Sequence, residues 1–516
     1  MKSLFKYMFA GLLAGTVLSS CSSDQLETQP TTSMSGASLM DNGNAALVPL
    51  NGIYRMLYTA GWSTGGNTHQ CHGITAWTLC AEVMGEDHIM ADQGSGWYWY
   101  DAIYNVKSRY TFTTWRSYDL WNAYYTLISN ANYILAAEET MKDGATVTAN
   151  SALGQAYAIR AYSYFMLAQN FARTYKGHES EPCCPIYTEP TSADTKGQPR
   201  STVQQVYDLI KSDINKAVEL LANANCDRQH ISHIDYSVAC GIQARIALVM
   251  EDWATAKTAA HNAIKSSGKN ILPVADFIGV NDVKKGNVMW GAEIITDQVG
   301  MYASFFSHMD ADMGAYGESA RKQINKLLYA KMNPTDTRQA WWNPQDANNK
   351  SNGYQQEKFK FSDYQTWLGD YIFMRVEEMY LIAAEAECRL NQENEAKTDL
   401  MALMSKRDTA YDCSSKTGTA LGKTTCEWTG SLLEEILIQR RIELWGEAGR
   451  VFDIKRCKQG FVRTAEMGWP TKAMLDGRPT DDPENYMWVL TIPQTEFDGN
   501  ENMDGEKDQN PVGDTK

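Results

Sequence analysis

Residues 94–104 read GSGWYWYDAIY and set Trp97, Tyr98, Trp99 and Tyr100 in one unbroken aromatic run behind a Gly-Ser-Gly turn. Flat aromatic faces stack on the C–H faces of sugar rings, while nearby amide, carboxylate or guanidinium groups bond the hydroxyls. In an extended run alternate residues face opposite sides, so one pair would meet a ligand while the other anchors the loop. The competing use of the same rings is core packing, because Trp and Tyr are often highly buried. A second aromatic group comprises Tyr316, Trp341, Trp342, Tyr354, Trp367 and Tyr371, with Arg338, Asn343 and Asn348 nearby in sequence. The candidate ligand-binding residues are therefore Trp97, Tyr98, Trp99, Tyr100, Tyr316, Arg338, Trp341, Trp342 and Trp367. Trp97 or Trp99 together with Trp341 or Trp342 is the expected platform.

Other residue patterns point to chemistry less well. Glu443 and Glu447 stand one helical turn apart, the spacing of paired carboxylates in acid–base catalysis. Arg440 and Arg450 also lie within one turn of them, which favours ion pairing on one helical face. Glu385 and Glu387 read the same way. His69, Cys71, His72 and Cys80 are close together, as are His230 and His233, but neither group has the spacing of a zinc framework. Asp498–Gln509 carries oxygens like a calcium loop, yet Met503 occupies the place of the required Gly and Gln509 that of the final Glu. It reads as a solvated acidic tail. No H-E-x-x-H, G-x-x-x-x-G-K-[ST] or G-x-S-x-G occurs, so the chain is expected to be no enzyme and to need no cofactor or metal.

Apolar residues recur with helical period over Tyr118–Thr140, Ala152–Tyr175, Val203–Leu221, Tyr236–Glu251, Trp253–Ser266, Met374–Asn391, Glu395–Arg407 and Leu432–Cys457. Ala254, Ala256, Ala259, Ala260 and Ala263 leave room for a close neighbour and resemble the second helix of a tetratricopeptide repeat. The fold class is thus mainly α, a scaffold of stacked helical hairpins with little β. Segments 56–115, 268–373, 408–430 and 459–516 lack clear periodicity and hold much of the Gly, Trp, Tyr and Asn. Loops of that length are usually functional.

Lys2 and Lys6 precede a weakly polar to apolar stretch from Tyr7 to Leu18 that ends in Leu-Ser-Ser-Cys at Cys21. The stretch is too short for a permanent span, which needs about 20 apolar residues. It predicts a signal peptide over 1–20, a lipidation site at Cys21 and a flexible tether over 21–45. Residues 46–516 then form one body, with an N-terminal part over 46–267 and a C-terminal part over 268–516. The chain carries 47 Lys and Arg against 62 Asp and Glu, a net charge of −15, which argues against nucleic acid as a partner. Of the cysteines after Cys21, Cys413 and Cys426 flank a Gly/Ser/Thr/Lys-rich loop and are the most plausible disulfide pair.

Leu432–Arg456 reads LLEEILIQRRIELWGEAGRVFDIKR and resembles the late helix of the SusD/RagB family, written around E-R-x-x-E-L-x-x-E-G-x-R-x-x-D-L-x-R. Arg440, Glu443, Leu444, Glu447, Arg450, Asp453 and Arg456 match; Gln439 and Ala448 depart. Trp121–Asn132, Gln155–Phe171, Met374–Leu390 and Val489–Asn500 resemble four further family elements in the right order. The resemblance implies a SusD-like tetratricopeptide scaffold on an outer-membrane lipoprotein that faces the cell exterior. It also implies a surface nutrient binder, capturing oligosaccharides or polysaccharides as the lid of a SusC-like TonB-dependent transporter. The RagB branch implies the same lid role with peptides as cargo.

Overall fold

The computed structural model describes residues 43–63, 67–105, 115–139, 147–192, 194–224, 228–345 and 353–512. The leader, Cys21 and nearly all of the tether lie outside the described residues, as do Asn348 and Cys226.

Eleven longer helices carry the architecture: α1 Gly43–Met56, α2 Ile74–Val83, α3 Trp115–Leu135, α4 Val147–Phe171, α5 Val203–Asn223, α6 Tyr236–Val249, α7 Trp253–Ser267, α8 Val376–Arg389, α9 Glu393–Met404, α10 Leu432–Glu443 and α11 Arg450–Arg456. Helices α3 to α9 each lie against the next, and α10 closes on α8. Local signals start several of them. Thr202 and Gln205 form a reciprocal capping box on α5, and Asp235, Asp252 and Ser431 cap α6, α7 and α10. Gly268, at φ 62°, ends α7. In α7 Ala256, Ala259, Ala260 and Ala263 are buried, so α6 and α8 both pack closely on it, whereas Ala254 faces solvent. Helix α8 thus joins the stack directly after α7, although residues 268–375 intervene.

That long insertion supplies most of the sheet. Strands β1 His88–Met90, β2 Val288–Ala292, β3 Lys322–Ile324, β4 Trp342–Asn343, β5 Gln355–Gln356 and β6 Tyr371–Arg375 form a four-stranded sheet in the order β1-β3-β5-β4 and a β2–β6 pair. All described pairings between these strands are antiparallel. The main apolar core runs through both chain halves, and a smaller one lies among α8, α9 and α10 around Leu381, Leu400, Leu403, Leu433 and Ile436.

Three features differ from the sequence reading. The expected helix Leu432–Cys457 breaks between Glu443 and Arg450, where Gly446 and Gly449 take φ of 82° and 75°. The motif charges therefore do not share one face; they reach partners across the fold. Helix α2 carries no amphipathic signal because it is buried on nearly every side. The 498–509 segment is no loose tail. Its acidic side chains are mostly exposed, but buried Asn500 donates to Gln198 O at 2.8 Å and buried Asn510 donates to Phe171 O and Leu490 O, both at 2.8 Å.

Cys413 and Cys426 are free thiols, as are the other described cysteines. They do not pair because Cys413 packs in the smaller core while Cys426 packs against the main one.

Gly73 shows how tightly the N-terminal part closes. It sits at φ +83°, and a Cβ there would lie 2.0 Å from Leu57 O. The next amide, Ile74 N, donates to that same carbonyl at 2.9 Å. Gly73→Ala is expected to cost about 2 kcal/mol or more, because left-handed strain and a backbone clash act together. A thermal melt matching wild type would refute this.

Candidate functional site

Five segments bring their rings into one band, Trp367 joining through Tyr302 from the turn before β6. His69 comes from the 3₁₀ turn Thr68–Gln70, Trp97 from the Gly-rich loop, Tyr316 from the short helix Tyr316–Ser319, and Tyr302 from the loop before the short helix Phe305–Met309. His69 stacks on Trp97 with centroids 5.2 Å apart and planes 3° apart. Tyr316 meets Trp97 at 5.7 Å and 63°, and its hydroxyl contacts His69 Nδ1 at 2.7 Å. Tyr302 lies 5.5 Å from Tyr316 and 5.0 Å from Trp367, at 47° and 64°. Apart from the parallel His69–Trp97 pair, neighbouring rings are tilted or edge-on to one another.

Backbone features hold each ring in place. Gly94 and Gly96 take φ of 51° and 88°, and a Cβ on Gly94 would sit 2.8 Å from Ser319 O. Only glycine lets the Trp97 loop approach the Tyr316 helix that closely. Tyr98, Met301 and Trp367 are non-glycine residues at φ of 61°, 44° and 61°, in the loops that carry Trp97, Tyr302 and Trp367. Such strain costs about 1–3 kcal/mol per residue and persists where surrounding contacts over-determine it, often at ligand sites. Around Trp367, Leu368 N donates to Asp363 O at 3.1 Å and Ser362 N to Leu368 O at 2.8 Å, closing a tight turn. Asp363 also accepts from Gln365 N at 2.8 Å.

Beneath the band lies a buried layer. The His308 ring stacks under Tyr316 at 5.1 Å, and His308 Nε2 donates to His69 O at 2.6 Å. Burial pushes the His308 pKa well below the ordinary imidazole value, so a neutral ring supports the platform. His72 is likewise buried and lowered to about 3, mainly by burial, with Thr75 Oγ1 at 3.0 Å and Tyr98 OH at 3.1 Å. Cys71 Sγ lies 2.8 Å from Asp119 Oδ1. The His69, Cys71, His72 and Cys80 group is thus divided between platform and core.

The two aromatic runs do converge, but through fewer of the expected residues. The 97–100 run is not extended; Tyr98 precedes the short helix Trp99–Ala102. Trp97 is half-buried with its ring in the band and Tyr100 is exposed, its hydroxyl accepting from Gln93 Nε2 at 3.4 Å. Tyr98 and Trp99 are core residues at 0% and 4% exposure. Trp341 and Trp342, at 4% and 2%, face inward as well. Lys358 Nζ lies 4.7 Å from the Trp341 ring centre, and Trp342 packs edge-on to Trp445 at 5.8 Å. Fully buried Arg338 bonds Asp336 and Gln439 and faces Glu443 at 3.5 Å. These five cannot offer a face to an external ligand in this conformation, because their rings and charge are consumed by the core. Tyr354 packs on Tyr329, Tyr371 is buried, and Asn343 is exposed. Tyr302 and His69 are not among the ligand-binding residues expected from sequence; His69 stands there only in a His/Cys group whose spacing fits no zinc framework. Tyr302, exposed at 43%, carries no local motif.

The motif acids act as structural charges. Glu443 accepts from Arg407 Nε and Nη2, both at 2.9 Å, and from Arg375 Nη1 at 3.1 Å. Glu447 accepts from Arg375 Nε at 2.7 Å and Lys358 Nζ at 2.6 Å. Glu385 pairs with Arg456 at 2.6 Å, and Arg450 and Arg441 converge on Glu86 and Asp87. A recess beside this network is lined by Phe165, Arg245, Phe305, Glu378, Arg440 and Phe452 among others, and by none of the band's rings.

Among the described residues no helix is long and apolar enough to cross a membrane. A family model described as starch-binding and associating with the outer membrane matches residues 76–248, and a SusD family model matches residues 279–512. A SusD-like carbohydrate-binding protein from Bacteroides vulgatus is 25% identical in sequence, with a TM-score of 0.73 over 90% of this chain and 97% of that one. A SusD superfamily protein from Bacteroides thetaiotaomicron shares the fold at 21% identity and a TM-score of 0.71, covering 91% of this chain and 100% of the other. The SusD-like protein P38 of Formosa agariphila is 36% identical over 109 residues, a match spanning 21% of this chain and 19% of that relative. With two family models matched in order along the chain and the fold shared almost end to end, the chain belongs to the SusD/RagB family.

Proposed function

We propose that this chain is a cell-surface glycan-binding protein that captures oligosaccharides or polysaccharides on the band of Trp97, Tyr316, Tyr302 and Trp367. The observation that carries the reading is the convergence of these rings from separate loops, with Tyr302 exposed and half-buried Trp97, Tyr316 and Trp367 alongside. Apolar ring faces suit the C–H faces of neutral sugars, and several rings side by side suit a chain of sugar units. The buried charge network leaves Glu443 and Glu447 engaged with arginines and lysine, which supports binding without hydrolysis.

In this reading Cys21 carries the lipid that holds the protein on the outer membrane, and the body closes over a SusC-like TonB-dependent transporter as its lid. Family membership supports both parts. The test is native affinity electrophoresis through gels holding different polysaccharides, with a peptide library in parallel and product analysis of every incubation. Retardation by at least one glycan with no cleavage is expected. Peptide binding alone would replace the cargo, and cleavage products would overturn the binder reading.

A further inference from the structure

A second cluster lies on the helical stack, independent of the aromatic band. His261 of α7, Glu387 of α8 and Asp399 of α9 bring one ligand atom each to within 4.8 Å of one another. His261 Nε2 is 2.7 Å from Asp399 Oδ2 and 3.7 Å from Glu387 Oε1. Ligands of a tetrahedral zinc ion, bound at about 2.0–2.1 Å, stand about 3.3 Å apart, so these two spacings bracket the required one.

One buried oxygen of the cluster lacks a partner. The Glu387 side chain is 4% exposed, yet its Oε2 has no hydrogen-bond partner. A buried carboxylate oxygen left unpaired is costly, and a metal ion would satisfy it. The nearby cation is Lys257, whose Nζ donates to Gln392 Oε1 at 2.8 Å. His261 is 43% exposed, which gives an ion an entry path and room for water as a fourth ligand.

We propose that His261, Glu387 and Asp399 form a divalent transition-metal site that clamps α7, α8 and α9 together. One imidazole with two carboxylates favours zinc-like ions over calcium or magnesium, which prefer all-oxygen shells. The site staples the scaffold where α8 joins the stack across the long insertion.

The test titrates the purified full-length protein with Zn2+ alone, by calorimetry and by metal analysis after dialysis. About one tightly held equivalent is expected in wild type, with a rise in thermal midpoint on zinc addition. Both signals are expected to vanish in His261→Ala and in Glu387→Gln, and to persist in His233→Ala, a control for surface histidine binding. His261 is half-exposed, so its variant is expected to melt like metal-free wild type, which separates lost binding from lost folding. Absence of zinc binding by wild type, zinc binding that survives in H261A and E387Q, or a preference for calcium over zinc would each overturn the proposal.

Discussion

Glu443→Gln is expected to destabilise the protein by about 3–5 kcal/mol, the cost of breaking a buried ion pair from one side. Glu443 is fully buried, and its two oxygens face Arg407, Arg375 and Arg338. A glutamine keeps the shape but offers one acceptor and no charge, so several guanidinium groups lose their counter-ion in a water-poor interior. The same arrangement sets the response to acid. Despite burial, Arg407, Arg375 and Arg338 hold the Glu443 carboxyl well below the ordinary value of 4.5. Arg440, Arg456 and Arg450 hold Asp453 below its usual range, and Arg456 and Arg389 do so for Glu385. A folded-state pKa below the unfolded one means stability that is complete above the unfolded value and lost as pH falls toward the folded one. Wild type should therefore lose stability progressively as pH falls below about 4.5, and E443Q should lose less over that window. Glu82, which burial pushes up to about 7, works in the opposite sense; its contribution is lost as pH rises through that value. Denaturant titrations across pH check both statements. Equal stabilities for wild type and E443Q at pH 7 would show that the network is dispensable.

Trp97→Ala is expected to weaken binding of the glycan that retards the wild type by about 30-fold, the effect of losing a central aromatic anchor worth about 2 kcal/mol. Trp97 touches both His69 and Tyr316, so its loss opens a gap in the middle of the band. Tyr302→Ala should cost less, because Tyr302 stands at the more exposed side. Trp342→Ala should behave oppositely: stability falls by about 3–5 kcal/mol for a core Trp, while the folded fraction binds as wild type does. Calorimetry and melting curves on the three variants separate these outcomes. Wild-type affinity in W97A together with a large loss in W342A would move the ligand away from the band.

The helices most readable in the sequence were those with one buried face and a cap, such as α5, α6 and α7. Helix α2 escaped because burial on all sides erases periodicity, and α1 because Pro49 and Gly52 lie inside it. The charge motif was visible as a set of residues, but its partners were not. Arg375, Arg407 and Glu86 lie far from it in sequence and meet it only after α8 and α10 pack.

The sequence by itself determined the family, the helical scaffold, the presence of two aromatic-rich regions and the structural character of the motif charges. These follow from residue type, period and order along the chain. Only the tertiary structure decided which rings face outward. Trp97 and Trp99 are chemically alike and two residues apart, yet a left-handed turn at Tyr98 puts one in the band and the other in the core. Tyr302 joins Tyr316 and Trp367, and His261 joins Glu387 and Asp399, because helices and loops distant in sequence pack side by side. Such neighbours are fixed by shape complementarity across the whole core, which no local pattern encodes.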